Sequence, residues 1–127
     1  NSIKVIANKG IVNDRYFKED NDKNIQITLI ESENVDYYNK ISGTNLIPTD
    51  FRRNVITKGI SLNELIGKEI LLGDVRLKVH DLCEPCRYLQ ELLGEKNLVK
   101  KLLNRGGLRC ELLTNGNINI NDLIRIL

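Results

Sequence analysis

Little in this 127-residue chain suits a nucleic acid, a membrane or an oxidising compartment. Its aromatic residues are only Tyr16, Phe17, Tyr37, Tyr38, Phe51 and Tyr88, with no interleaved basic stripe, so bases are offered no stacking platform. The 19 basic residues are mixed among 17 acidic ones, and the net charge of +2 implies no nucleic-acid partner. No apolar run approaches a membrane span, and the N-terminus has no signal-peptide apolar core. Cysteine occurs three times, an odd number that cannot pair fully within one chain, so a reducing, cytoplasmic setting is expected. Neither a linker nor an internal repeat interrupts the chain. With 41% hydrophobic residues it is expected to be one domain over residues 1–127.

Periodicity favours strands over helices. Ser2–Ala7, Ile25–Ile30, Glu69–Leu72, Asp74–His80, Leu108–Thr114 and Asp122–Leu127 read as strands, with Gly73-Asp74 closing a hairpin and Gly10 and Asn115-Gly116 in turns. Lys18–Asn24 reads as a polar loop, and Phe51–Thr57 as a strand delivering polar side chains to a site. Helices are expected over Glu31–Ile41, Arg87–Leu93 and Asn97–Asn104, with Gly106-Gly107 stopping the last. Ser61-Leu62-Asn63-Glu64 has capping-box spacing for a further short helix ending at Gly67. There is no regular β-α-β alternation, and a closed or nearly closed barrel of mixed strands with small helical inserts fits best.

Cys83-Glu84-Pro85-Cys86 places two thiols three residues apart between the strand ending near His80 and the helix beginning near Arg87. With Pro85 in the first helical turn, Cys86 would sit beside unpaired backbone N–H groups, which favour a thiolate, with Arg87 as a further cation. Such a thiolate is a nucleophile, a sulfur carrier or a soft-metal ligand. Three other readings of the pair remain open from the residues themselves. Both cysteines could be small core residues. A thioredoxin-like dithiol fits poorly, because it needs a βαβ context and a later proline, and Pro48 and Pro85 are the only prolines. A zinc-stabilised interaction domain could draw on His80, Cys83, Cys86 and Cys110.

Taken in order, Gly10-Ile11-Val12-Asn13-Asp14-Arg15-Tyr16, Gln26–Ile30, Arg52-Arg53-Asn54, Gly59-Ile60 with Leu62-Asn63-Leu65-Gly67, Gly73, Cys83–Cys86, Arg105-Gly106-Gly107-Leu108 and Gly116–Asp122 resemble the succession found in MOSC domains, named after the C-terminal part of molybdenum cofactor sulfurase. The resemblance runs from about Ile3 to the C-terminus. It implies a mostly β, barrel-like fold with short inserted helices, and the handling of molybdenum cofactor or sulfur through one cysteine.

The family's Pro-Cys falls on Cys86, which the resemblance makes the metal ligand or persulfide carrier, with Cys83 an accessory or packing residue. The cofactor is an anionic pterin dithiolene with a phosphate, so its pocket calls for guanidinium and backbone donors. By their places in the pattern, Arg52, Arg53 and Asn54 supply these, with Arg15 and Arg105 as additions; of the neighbours Arg52 and Arg53, one is expected to face the pocket. Asn13 and Asn121 stand where relatives carry glycine, and Asn tolerates the positive φ such turns require. The implied activity is reduction of N-hydroxylated compounds or sulfurtransferase-like delivery of sulfur or cofactor to another molybdoenzyme. The chain reads as a stand-alone member without the N-terminal β-rich domain or ferredoxin module of larger relatives, so a reductase would need a separate electron donor. No lysine lies in a Schiff-base motif, and pyridoxal phosphate is not expected.

Overall fold

The computed structural model describes residues 2–23 and 26–127. Asn24 and Ile25, which close the expected polar loop and open the expected strand, lie outside the described residues, as does Asn1. In chain order the elements are β1 (Ser2–Ile6), β2 (Gly10–Ile11), β3 (Ile27–Glu31), α1 (Ser32–Ser42), β4 (Val55–Thr57), β5 (Glu69–Leu72), β6 (Val75–Leu82), α2 (Arg87–Leu92), α3 (Leu98–Lys101), β7 (Leu108–Leu112), β8 (Gly116–Asn119) and β9 (Ile124–Ile126). Pro48–Phe51 and Leu62–Leu65 form 3-10 turns. Strands outnumber helices, as the periodicity predicts. Two compact units are present: the described residues of Asn1–Ile27 with Leu65–Asp81 and Arg109–Leu127, and Thr28–Glu64 with Leu82–Leu108.

In the first unit, β1 lies between β2 and β8, antiparallel to both, with Val5 opposite Ile11 and Ile3 opposite Ile118. A second set of strands runs β7-β6-β5-β9. The β5–β6 hairpin pairs Leu72 with Val75 across Gly73, whose φ of 61° is left-handed. Along β6, Val75, Leu77 and Val79 are buried while Arg76 is exposed, the alternation expected of a half-buried strand. Two expectations change here. Gly10-Ile11 is strand rather than turn, and Gly116–Asn119 is strand although only Ile118 of its residues is buried. Asn13 and Asn121 adopt φ of 71° and 73°, the conformation that a glycine would otherwise supply.

The second unit is built on a parallel pair, β3 and β4, with Leu29 opposite Val55 and Glu31 opposite Thr57. Its core joins Ile30, Val35, Tyr38, Phe51, Leu89, Leu98 and Leu102. Tyr38 and Phe51 meet edge to face, ring centroids 6.3 Å apart at 76°. Burying Phe51 explains why the expected strand over Phe51–Thr57 shortens to β4: Pro48–Phe51 turns as a 3-10 helix that directs the ring inward, and Arg52 follows at φ 60°. Asp50 Oδ2 accepts from the Ile47 amide at 2.9 Å, so this turn carries its own cap. Leu62–Leu65 is likewise a 3-10 turn instead of a short α-helix, and the Glu64 amide donates to the Ser61 carbonyl at 3.3 Å, so the Ser61 side chain is not the cap its spacing suggested. The expected helix over Asn97–Asn104 contracts to α3, because Asn97 takes φ 64° and the chain leaves helical geometry at Leu102.

Candidate functional site

The cysteine pair and the segments that brace it, Phe51–Asn54, α2 and Asn104–Gly107, belong to the second unit. Past β6 the chain runs without helix or strand through Cys83–Cys86 and enters α2. Pro85 lies before the helix, not inside its first turn: Cys86 itself is the N-cap, at φ −106° and ψ 163°, and its Sγ accepts from the Leu89 amide at 3.4 Å. Cys86 is exposed, whereas Cys83 and Cys110 are buried.

The loop is braced on several sides. The Cys83 amide donates to the Gly107 carbonyl at 2.8 Å, and the Glu84 carboxylate accepts from the Asn104 amide at 3.0 and 3.2 Å. A Cβ on Gly106 would collide with the Cys83 carbonyl oxygen and approach Pro85 Cδ to 2.5 Å, so only glycine lets the two backbones lie this close. Gly107 makes the same close approach to the Leu29 carbonyl. The pair at 106–107 therefore does more than end a helix; it packs the segment between β3 and the cysteine loop.

Arg53 ties this loop to the Gly106 segment. Its Nε donates to the Gly106 carbonyl at 2.8 Å, Nη2 to the Cys83 carbonyl at 2.9 Å and the Glu84 carbonyl at 3.4 Å, and Nη1 to the Phe51 carbonyl at 3.2 Å. The guanidinium is thus engaged with the protein's own backbone. Neighbouring Arg52 differs in each respect: it is exposed, and its side chain makes no hydrogen bond or ion pair among the described residues. Asn54 is tied to β3, its Oδ1 accepting from the Thr28 amide at 2.8 Å and from the Thr28 hydroxyl at 3.1 Å.

Arg105 is held in place without being used up. Its guanidinium carbon lies 3.9 Å from the Tyr37 ring centroid, and Nη1 donates to Asn34 Oδ1 at 3.1 Å. It lines an open cleft of about 390 Å³ with Glu31, Asn34, Ser61, Asn63 and Asn104. Asn63 Nδ2 donates to the Asn104 carbonyl at 2.8 Å, and Glu31 Oε2 accepts from the Leu62 amide at 3.2 Å. Asn34, Asn63 and Glu31 are not among the site residues expected from the sequence, although Asn63 falls in one of the segments that carry the family resemblance. Nearby, Glu33 accepts from the Gly59 amide at 2.7 Å, which holds its carboxyl below the usual carboxylate range.

Arg15 belongs to the first unit, where its guanidinium carbon lies 4.8 Å from the Tyr16 ring centroid and Nη2 donates to the Tyr16 hydroxyl at 3.0 Å. The zinc set does not assemble. Among the described residues no three His, Cys, Asp or Glu side chains are grouped to hold a metal ion. His80 Nε2 is instead 2.9 Å from Glu111 Oε1, and Cys110 has no solvent exposure.

The family model described as "MOSC domain" matches residues 18–125. The chain belongs to the MOSC domain family. Its fold is also that of solved structures. The YuaD protein from Bacillus subtilis superposes with a TM-score of 0.81 at 18% identity, covering 98% of this MOSC domain and 84% of that chain. YiiM from Escherichia coli gives 0.80 at 14% identity over 100% and 62%, and YiiM from Geobacillus stearothermophilus 0.75 at 18% over 83% and 55%. The MOSC chain therefore spans only about three fifths of the two YiiM chains. At these identities the likeness is one of fold, and it is the mostly β MOSC fold with short inserted helices. No curated protein matches the sequence. Among the described residues no helix is long and apolar enough to cross a membrane.

Proposed function

We propose that residues 1–127 act as one MOSC domain that binds molybdenum cofactor, with Cys86 as the single protein ligand to the metal. The observation that carries this reading is the contrast among the three thiols: Cys86 alone is exposed, at the end of a braced loop, while Cys83 and Cys110 are buried. A lone thiolate suits this group, because the dithiolene brings its own sulfur donors and a soft metal accepts one more. Bound, the cofactor supplies a redox-active metal that the chain's own side chains lack. Arg52 and Arg105 offer guanidinium donors to its phosphate and pterin edge, and Asn54 adds an amide fixed against Thr28. Arg53 is better understood as a support of the loop than as a ligand-binding group, since backbone carbonyls occupy its donors.

Within this reading the domain either delivers sulfur or cofactor to a separate molybdoenzyme or, supplied with electrons, reduces N-hydroxylated compounds. Reconstitution with cofactor followed by desalting tests the binding. Molybdenum and pterin should stay with the wild type and Cys83→Ser and be lost from Cys86→Ser. Stoichiometric zinc that disappears in Cys110→Ala would overturn the reading. A hydroxylamine substrate and an artificial electron donor then divide the two roles: sustained turnover that needs Cys86 marks a reductase, and transfer to an apo-molybdoenzyme without turnover marks a carrier.

A further inference from the structure

We propose that Arg53 is the positioning residue of the cysteine loop: it fixes where Cys86 is presented and touches neither cofactor nor substrate. The inference rests on Cys86 being the working thiol. Three observations converge on it. First, the guanidinium reaches segments far apart in sequence, donating to Phe51 on its own turn, to Cys83 and Glu84 ahead of α2, and to Gly106 beyond α3. These are hydrogen bonds from a charged donor, stronger than neutral ones and directed by a planar fork. Second, the accepting carbonyls belong to residues that already lie in backbone contact, since Gly106 packs on Cys83 and Pro85 and the Cys83 amide binds Gly107. Arg53 closes that contact from a third side. Third, Cys86 follows the clamped residues directly and caps α2 through Sγ, so a shift of the Cys83–Glu84 backbone is transmitted through Pro85, whose ring restricts rotation, to the thiol.

Lysine keeps the charge but not the fork: one ammonium cannot reach carbonyls spread in this way with the same geometry. Arg53→Lys is therefore the informative variant. The experiment follows amide hydrogen exchange by NMR in the protein without cofactor, together with iodoacetamide alkylation resolved for each cysteine. In Arg53→Lys, exchange should accelerate at least tenfold at the amides of Cys83 and Leu89, which bind Gly107 and Cys86 Sγ. The amides of Leu93 and Leu102, bonded within their own helical turns, should change less than twofold. The alkylation rate of Cys86 should move at least threefold toward that of the denatured chain while Cys110, buried on β7, stays protected.

Uniform acceleration at all four amides would assign Arg53 to general stability only, and unchanged exchange with wild-type Cys86 alkylation would remove any role; either result overturns the proposal. Should Arg53→Lys fail to fold, the wild type still decides the matter. The Arg53 Nε–H should exchange more slowly by tenfold or more than that of exposed Arg52, and equal rates would refute the clamp. Because cofactor is absent throughout, a failure here is separate from a failure of cofactor binding in the Cys86→Ser comparison.

Discussion

Gly106→Ala isolates the close approach that shapes the cysteine loop. Gly106 is not among the residues with positive φ, so its backbone conformation admits alanine, and the substitution tests space alone. The added methyl would collide with the Cys83 carbonyl oxygen and stand 2.5 Å from Pro85 Cδ and 2.9 Å from Pro85 N, all backbone or ring atoms that cannot swing aside. The protein then has two responses. Holding the loop in place forces an overpacked contact, which costs about 1–3 kcal/mol. Moving the loop relieves the contact but weakens the bonds of Arg53 to Gly106 and Cys83, at ~1.5–3 kcal/mol for a bond to a charged group.

These responses are alternatives, so their costs do not add, and the expected loss is about 2 kcal/mol, a sizeable share of the roughly 5–15 kcal/mol that holds a domain together. Urea denaturation with a fixed m-value measures it, and alkylation of Cys83, buried in the wild type, reports whether the loop moved. Gly43→Ala is the control: nothing lies within 4 Å, and its φ of 67° imposes only left-handed strain of ~1–2 kcal/mol, with Cys83 unaffected. A Gly106→Ala protein within about 0.5 kcal/mol of wild type, the usual scatter of surface substitutions, would refute the close-packing argument.

Tyr38 is fully buried and donates to Glu95 Oε1 at 2.6 Å; burial and that carboxylate push its pKa from 10.0 up to about 12. Because the folded value is the higher, the stabilisation is complete below pH 10 and is lost as pH rises through 12. An alkaline absorbance titration should show one tyrosine ionising near pH 12, a step absent from Tyr38→Phe, whose stability should fall less over that window. Phe51→Ala should cost about 3–5 kcal/mol by thermal or urea unfolding, since it empties a fully buried site against Tyr38; a loss below about 1 kcal/mol would mean that Pro48–Phe51 does not depend on its ring.

What could be read from the sequence was what side-chain periodicity and turn chemistry encode. The β5–β6 hairpin was visible because Val75, Leu77 and Val79 alternate with charged residues and Gly73 marks the turn. The positive φ at Asn13 and Asn121 followed from residue chemistry in the same way. β8 was hidden, because Gly-Asn-Ile-Asn offers a single apolar residue and its pairing with β1 supplies what its composition does not. At the site, Cys86 and the Arg52–Asn54 segment drew attention through residue type and order. The division of labour between Arg52 and Arg53 did not, because Arg53 binds main-chain carbonyls, which every residue possesses and no sequence pattern advertises. The cap of the Pro48 turn was concealed similarly: Asp50 bonds back to the amide of Ile47, a residue with no capping side chain of its own.

The clamp on the cysteine loop also has a consequence for the order of assembly during synthesis. The bonds of Arg53 to Cys83 and Gly106 bridge 30 and 53 positions of chain, and Glu84 waits for Asn104. A growing chain that has just added Cys86 therefore carries the thiol with only the bonds of Arg53 to Cys83 and Glu84 to brace it. The remaining contacts require residues not yet joined, and they form only after the entropy of closing those loops has been overcome. The thiol is thus presented as a finished feature only after Gly107 has been added, so a half-made chain exposes Cys86 on a loop that has not yet taken its final shape.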